Sequence, residues 1–120
     1  LVELVDVYPS LVELCGLKVA RHLEGQSIAA LLEDPERDWK EAAFSQFGRG
    51  KVKGYAMRTK EYRYVEWIQN NEVVARELYD RLEDPREELN LLQGNKRSEV
   101  AETLSLRLKR GKGWRDVLPK

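Results

Sequence analysis

Cys15 and His22 are the side chains in this 120-residue chain best suited to attack a substrate or hold a soft metal, and each residue type occurs once. A cysteine acts as a nucleophile only when a neighbouring group stabilises the thiolate, and a lone histidine without a partner base or nucleophile is not a site. Cys15 closes the apolar run "LVELVDVYPSLVELC" with no His or second Cys close by, so it is expected to be a buried core thiol. His22 stands in the connector "RHLEGQS" beside Arg21 and Glu24, which predicts a solvated or capping role. The acidic residues between 72 and 90 lack the spacing of a calcium loop and alternate with Arg76, Arg81 and Arg86, so a self-neutralised surface is expected there. No catalytic residue and no metal ligand set is assigned.

The stretch "FGRGKVKG" carries a different chemistry. Its Gly-Lys pair lacks the following Ser or Thr and the upstream spacing of a phosphate-binding P-loop. Arg49, Lys51 and Lys53, with Gln46 just upstream, nevertheless form a local cationic edge on a glycine-rich connection. Two readings stay open: a solvated hairpin loop, or guanidinium and ammonium donors for a sulfate, carboxylate or phosphate. A general polyanion surface does not fit, because Lys+Arg and Asp+Glu both number 21 and the net charge is zero. Trp39, Trp67 and Trp114 form no periodic stacking array, so a nucleic-acid partner is not expected.

The elements that must position these residues follow from periodicity. Leu4, Val5, Tyr8, Leu11, Val12 and Cys15 recur at helical spacing opposite Glu3, Asp6, Ser10 and Glu13, and Gly16 supplies a left-handed stop. Pro9 fits such a helix in its first turn, which places the start near Asp6. Ser27 introduces a short helix through Leu31 and Leu32 that ends before Asp34-Pro35. From Ala42 the composition turns aromatic and β-branched, predicting strands at 43–47, 54–59, 62–68 and 74–79, with reversals at Thr59-Lys60-Glu61 and Asn70-Asn71. Ser98 then caps a helix with a Val100, Ala101, Leu104, Leu108 stripe, stopped by Gly111 and Gly113. The expected fold is α+β: a small four-stranded antiparallel sheet of sequence neighbours, a packed C-terminal helix and N-terminal helices, in a single unit spanning residues 1–120.

No apolar run approaches the roughly 20 residues of a membrane-spanning helix, and no charged segment followed by an apolar one opens the chain, so no membrane partner is expected. A single cysteine forms no internal disulfide, which leaves the compartment open. The chain starts at Leu1 with Met57 as its only methionine, and the expectation is a piece of something longer.

Within that frame, "ELYDRLEDPREELNL" (residues 77–91) resembles the late signature of the sulfatase family, in which a final strand runs through an Asp-Pro turn toward the C-terminal helix. "LVELVDVYPSLVELCGL" is similar to a second sulfatase segment, and the two stand in the family's order. Inside the family, "AAFSQFGRG", "KGYAMRTKEYRYVEW" and "GKGWRDVLP" look most like the iduronate-2-sulfatase branch, with the likeness running from Val2 to Pro119.

The resemblance implies the C-terminal subdomain of a sulfuric ester hydrolase that removes sulfate from sulfated saccharides. It also implies what lies elsewhere: a formylglycine made from the Cys of a Cys-x-Pro-x-Arg motif and a divalent cation, usually calcium, in a larger N-terminal catalytic domain. Cys15 is followed by Gly16, Leu17, Lys18 and Val19 and is not that residue. The chain alone is therefore expected to bind no cofactor and to be inactive, with the catalytic domain of the same protein and a sulfated saccharide as partners. Gln46, Arg49, Lys51 and Lys53 would border the substrate cleft. Family precedent points to a secreted, periplasmic or lysosomal setting. The helices of the N-terminal third are rich in Leu, Ile and Val, so an uncovered apolar face and self-association are expected of the isolated chain. The alternative is a freestanding binding module without enzymatic activity.

Overall fold

The structure, a computed structural model, describes residues 1–94 and 97–110; the "GKGWRDVLP" segment and the expected stops at Gly111 and Gly113 lie outside them. The backbone forms two compact units, Leu1–Ala43 and a second beginning at Phe44.

In the first unit a 3-10 turn, Leu4–Asp6, leads into helix α1, Val7–Leu14, and a connector runs to the short helix α2, Ala29–Glu33. Pro9 falls in the first turn of α1, where its missing N–H leaves no intrahelical bond unmade. Asp6 stands at the N-cap as expected, yet its side chain does not cap. It accepts instead from the Glu3 N–H at 2.9 Å, the Gln26 N–H at 2.8 Å and the Lys40 ammonium at 2.6 Å. Ser10 works beside it, donating to the Asp6 carbonyl and accepting from the Ile28 N–H at 2.9 Å. At the far end Gly16 takes φ +70°, and the Leu17 N–H reaches back to the Val12 carbonyl at 2.9 Å, the left-handed stop the glycine predicts. Ser27, expected at the N-cap of α2, stands one residue ahead of it, because Ile28 takes that position; the Ser27 hydroxyl accepts from the Ala29 N–H at 3.2 Å.

These bonds invert the expected orientation of α1. Asp6 and Ser10 are 1% and 5% exposed, whereas Tyr8, Leu11 and Leu14 face out. Cys15, expected in the core, is exposed with them. The cause is that the connector's backbone donors find their acceptors on the polar side of the helix, and each buried N–H left unpaired would cost about 1–3 kcal/mol. Gly25 shows how close the connector lies, since a Cβ there would stand 1.8 Å from the Val5 carbonyl oxygen.

The second unit is built on four strands, β1 Ala43–Arg49, β2 Val52–Arg58, β3 Tyr62–Gln69 and β4 Glu72–Asp80, in the order β1-β2-β3-β4. Where registers are defined, β2–β3 and β3–β4, the pairing is antiparallel. All four strands begin and end within two residues of the sequence expectation. Asn70 and Asn71 take φ 50° and 64°, the paired left-handed residues of a two-residue hairpin. Thr59 closes the other reversal by accepting the Tyr62 N–H on its hydroxyl at 2.9 Å.

Helix α3, Ser98–Arg110, covers one sheet face. The period of two and the registers put Tyr55, Met57, Tyr64, Glu66 and Leu78 on that face, all buried against Ala101, Leu104, Ser105 and Leu108. On the opposite face the Trp67 indole lies over Gly54, where an added Cβ would meet the ring at 2.8 Å. This explains glycine in mid-strand, since no larger residue leaves room for the ring. Close to the Asn70-Asn71 turn the β3–β4 register slips between Trp67 and Ile68, a bulge that locally interrupts the ladder between these two strands.

Candidate functional site

The cationic residues of "FGRGKVKG" come together on the β1–β2 hairpin. Arg49 ends β1, Gly50 takes φ +61° in the turn, Lys51 follows, and Lys53 is the second residue of β2. Gln46 stands on β1, three positions before Arg49. All four side chains are exposed, and Phe47 between them is 63% exposed. Among the described residues none of these four polar side chains has an ion pair or hydrogen bond, whereas Arg63, Arg76 and Arg81 are all committed. Phe47 adds a flat apolar surface that charge reasoning alone does not single out.

The committed arginines show the contrast. Arg63 bonds Glu87, stacks 4.7 Å above the Tyr79 ring, and shares Glu87 with Arg81 at 2.9 Å. Burial alone would push the Glu87 carboxyl up, but the Arg63 and Arg81 guanidinium groups hold it below the usual carboxylate range. Arg76 donates to Glu102 at 2.7 Å and lies 3.9 Å from Glu66. A groove of about 440 Å³ runs beside Arg76, lined also by Val73, Leu92 and Glu102. It sits at the β4 edge, the opposite side of the sheet from the free cations of the hairpin. Of the acidic residues of 72–90, Glu87 and Glu88 pair with arginines, Asp80 and Asp84 hold turns, and Glu77 accepts from Trp67 and Tyr79.

The first unit has a polar cluster that sequence patterning did not assemble: Lys40 between Glu3 at 2.8 Å and Asp6 at 2.6 Å. Burial pushes Asp6 up and Lys40 down, but their hydrogen bonds reverse both shifts, leaving the acid stronger and the base more basic than usual. This is a structural lock with its charges already satisfied. Among the described residues no group of three or more His, Cys, Asp or Glu is placed to hold a cation, and Cys15 begins Cys-Gly-Leu-Lys-Val. His22 is exposed on the connector. No helix among the described residues is long and apolar enough to cross a membrane.

The sequence profile of the family described as N-sulphoglucosamine sulphohydrolase, C-terminal, matches residues 1–113. The chain belongs to that sulfatase family. A Formosa agariphila protein named sulfatase is 29% identical over 89 residues, 74% of this chain and 16% of its own length. An N-acetylglucosamine-6-O-sulfatase of Bacteroides thetaiotaomicron is 28% identical over 95 residues, 72% of this chain and 17% of its own. The sulfatase C-terminal chain thus spans about a sixth of these curated relatives. Its fold is that of a solved protein in complex with its substrate D-glucosamine-2-N,6-O-disulfate, at TM-score 0.77 and 24% identity over 95% of this chain and 24% of that one.

Proposed function

We propose that this chain is the C-terminal part of a sulfuric ester hydrolase acting on sulfated saccharides, and that its β1–β2 hairpin meets the anionic groups of the substrate. The observation that carries the reading is the set of free polar donors, Gln46, Arg49, Lys51 and Lys53, projecting from one exposed hairpin of a sulfatase-family chain with no net charge. Sulfate and carboxylate oxygens accept charge-assisted bonds from such donors at roughly 1.5–3 kcal/mol each. Phe47, on the same face of β1 as Arg49 by the strand's period of two, supplies an apolar ring for the face of a sugar.

In this reading the reacting sulfate is handled by the rest of the polypeptide, which would supply the formylglycine and the calcium, and the hairpin selects what the sulfate is attached to. The sequence likeness to iduronate-2-sulfatases suggests a 2-sulfated uronate. The family description and the glucosamine-based relatives favour a sulfated glucosamine instead, and that is the sugar we propose.

The test uses full-length enzyme and paired substrates. Arg49→Ala is expected to raise KM for a sulfated glucosamine oligosaccharide about 10-fold or more, the loss of about 1.4 kcal/mol of uniform binding, while kcat holds. A small aryl sulfate that does not reach the hairpin should be turned over as before. Equal losses on both substrates, or no loss on either, would remove the hairpin from the substrate site.

A further inference from the structure

The sheet has a second face, opposite α3, that carries the other set of alternating side chains. Gly54 lies on it directly across from Trp67, and a Cβ added there would stand 3.0, 2.8 and 3.1 Å from Cε3, Cζ3 and Cη2, three successive atoms of the indole's six-membered ring. A ring presenting its edge cannot bring three successive atoms almost equally near one point, so the indole lies flat on the glycine. Its one donor is committed, Nε1 to Glu77 at 2.6 Å, and what the part-exposed ring has left to offer is its outer face.

Phe47 joins this ring. Gly50, at φ +61°, opens the two-residue turn Gly50-Lys51, and such a hairpin pairs the residues that flank it, Arg49 and Val52. Alternation then puts Phe47 on the side of Gly54 and the indole, with Arg49 on the same side at the strand end. At the other end of β2, about 13 Å along the strand from Gly54, Arg58 shares the face. It stands directly across from Arg63, a repulsive pairing. Glu87 neutralises Arg63, whereas the exposed Arg58 has no acidic partner among the described residues.

We infer that this face is a stacking platform for a sulfated saccharide, with a pyranose ring lying on Trp67 and Phe47 between Arg49 at one end and Arg58 at the other. The inference rests on the proposed function for the class of ligand, and it extends the contact from the hairpin across the sheet, to more than one sugar. A pyranose presents C–H faces that a flat aromatic ring can cover, while its sulfates project from the rim, where a guanidinium reaches them with charge-assisted bonds. An apolar protein surface is a poorer occupant, because it would bury Arg49 and Arg58 without a counter-charge.

The test is a footprint on the full-length enzyme. Oxidation of Trp67 by N-bromosuccinimide, followed in its own peptide by mass spectrometry, is expected to slow about 10-fold or more under a saturating heparin tetrasaccharide, and far less under an unsulfated tetrasaccharide of the same backbone. KM for the sulfated tetrasaccharide is expected to rise about 10-fold in Phe47→Ala and in Arg58→Ala, both exposed side chains whose removal opens no cavity. It should hold in Leu106→Ala, an exposed apolar truncation on α3. Trp67→Tyr, which keeps a ring face, should lose less than Trp67→Leu. Trp67 that oxidises as fast with the tetrasaccharide as without it would overturn the inference, and so would a Trp67 already unreactive in the folded, ligand-free enzyme, since the rest of the polypeptide would then cover the face. Equal protection by the unsulfated chain would remove the arginines from the platform. A KM effect of Arg49→Ala without protection of Trp67 would keep the hairpin reading and sink this one. Protection of Trp67 in a protein that desulfates no saccharide would sink the sulfatase reading and leave the platform standing.

Discussion

The side chain of Asn90 pairs with the edge of β4 as a strand would: its Oδ1 accepts the Leu78 N–H at 3.1 Å and its Nδ2 donates to the Arg76 carbonyl at 3.3 Å. The next residue continues the ladder, the Leu91 N–H reaching the Leu78 carbonyl at 2.9 Å. The same Oδ1 accepts the Leu92 N–H at 3.1 Å, so one amide both turns its own chain and blunts half of an exposed sheet edge. Leu78 is fully buried, which makes its backbone donor costly to strand. Asn90→Ala is therefore expected to destabilise the second unit by about 1–3 kcal/mol in denaturant unfolding, and Asn90→Asp, which keeps the acceptor and loses the donor, by less. Equal stability of Asn90→Ala and the parent chain would show that water replaces the amide at no cost.

Gly54 and Trp67 are a packed pair. Gly54→Ala drives a Cβ to 2.8 Å from an indole that cannot slide freely, because its Nε1 donates to Glu77 at 2.6 Å. A loss of about 1–3 kcal/mol is expected, with a change in tryptophan fluorescence. Trp67→Phe should recover part of that loss, and strictly additive effects in the double variant would remove the steric argument.

The lock of Asp6 and Lys40 sets a pH window for the first unit. Asp6 titrates below its ordinary 3.8 when folded, so its contribution is present above that value and is lost as pH falls through the folded pKa. Lys40 titrates above its ordinary 10.5, so its contribution is present below that value and is lost as pH rises through the folded pKa. A stability plateau is expected between these limits, with a decline below about pH 4 that Lys40→Met largely abolishes. Unfolding followed by the Trp39 environment measures it, and an acid limb unchanged in Lys40→Met would break the link.

Glu66 is fully buried under α3 and receives two hydroxyl donors on one oxygen, Tyr64 at 2.8 Å and Ser105 at 2.5 Å, while its Oε2 has no hydrogen-bond partner. Burial, and then the Glu66 carboxylate, pushes the Tyr64 phenol far above its usual range and keeps it a donor. Ser105→Ala and Tyr64→Phe should each cost about 1.5–3 kcal/mol. Together they should cost more than their sum, since the double variant leaves the carboxylate without either hydroxyl. Simple additivity would mean that the two donors act independently.

Much of this architecture is local and so was legible in the residues themselves. Alternating aromatic and β-branched residues define the strands, Asn70-Asn71 can adopt the left-handed pair their hairpin needs, and Gly16 permits the stop after α1, because these choices depend on backbone sterics within a few residues. The free cations of the hairpin were equally readable, since Arg49, Lys51 and Lys53 carry no acid between them. What only the tertiary structure decided is which partner each side chain meets. Helical periodicity marks two faces on α1 but does not say which turns inward, and the backbone donors of Gln26 and Ile28, far along the chain, settled it for the polar face and left Cys15 outside. The burial of Glu66 beneath Ser105, and the reach of Asn90 to a strand edge, likewise come from contacts between distant segments. Sequence spacing carries local conformational preference, whereas the pairing of buried polar groups is chosen by the whole fold, because each donor takes whichever acceptor the packed backbone brings within reach.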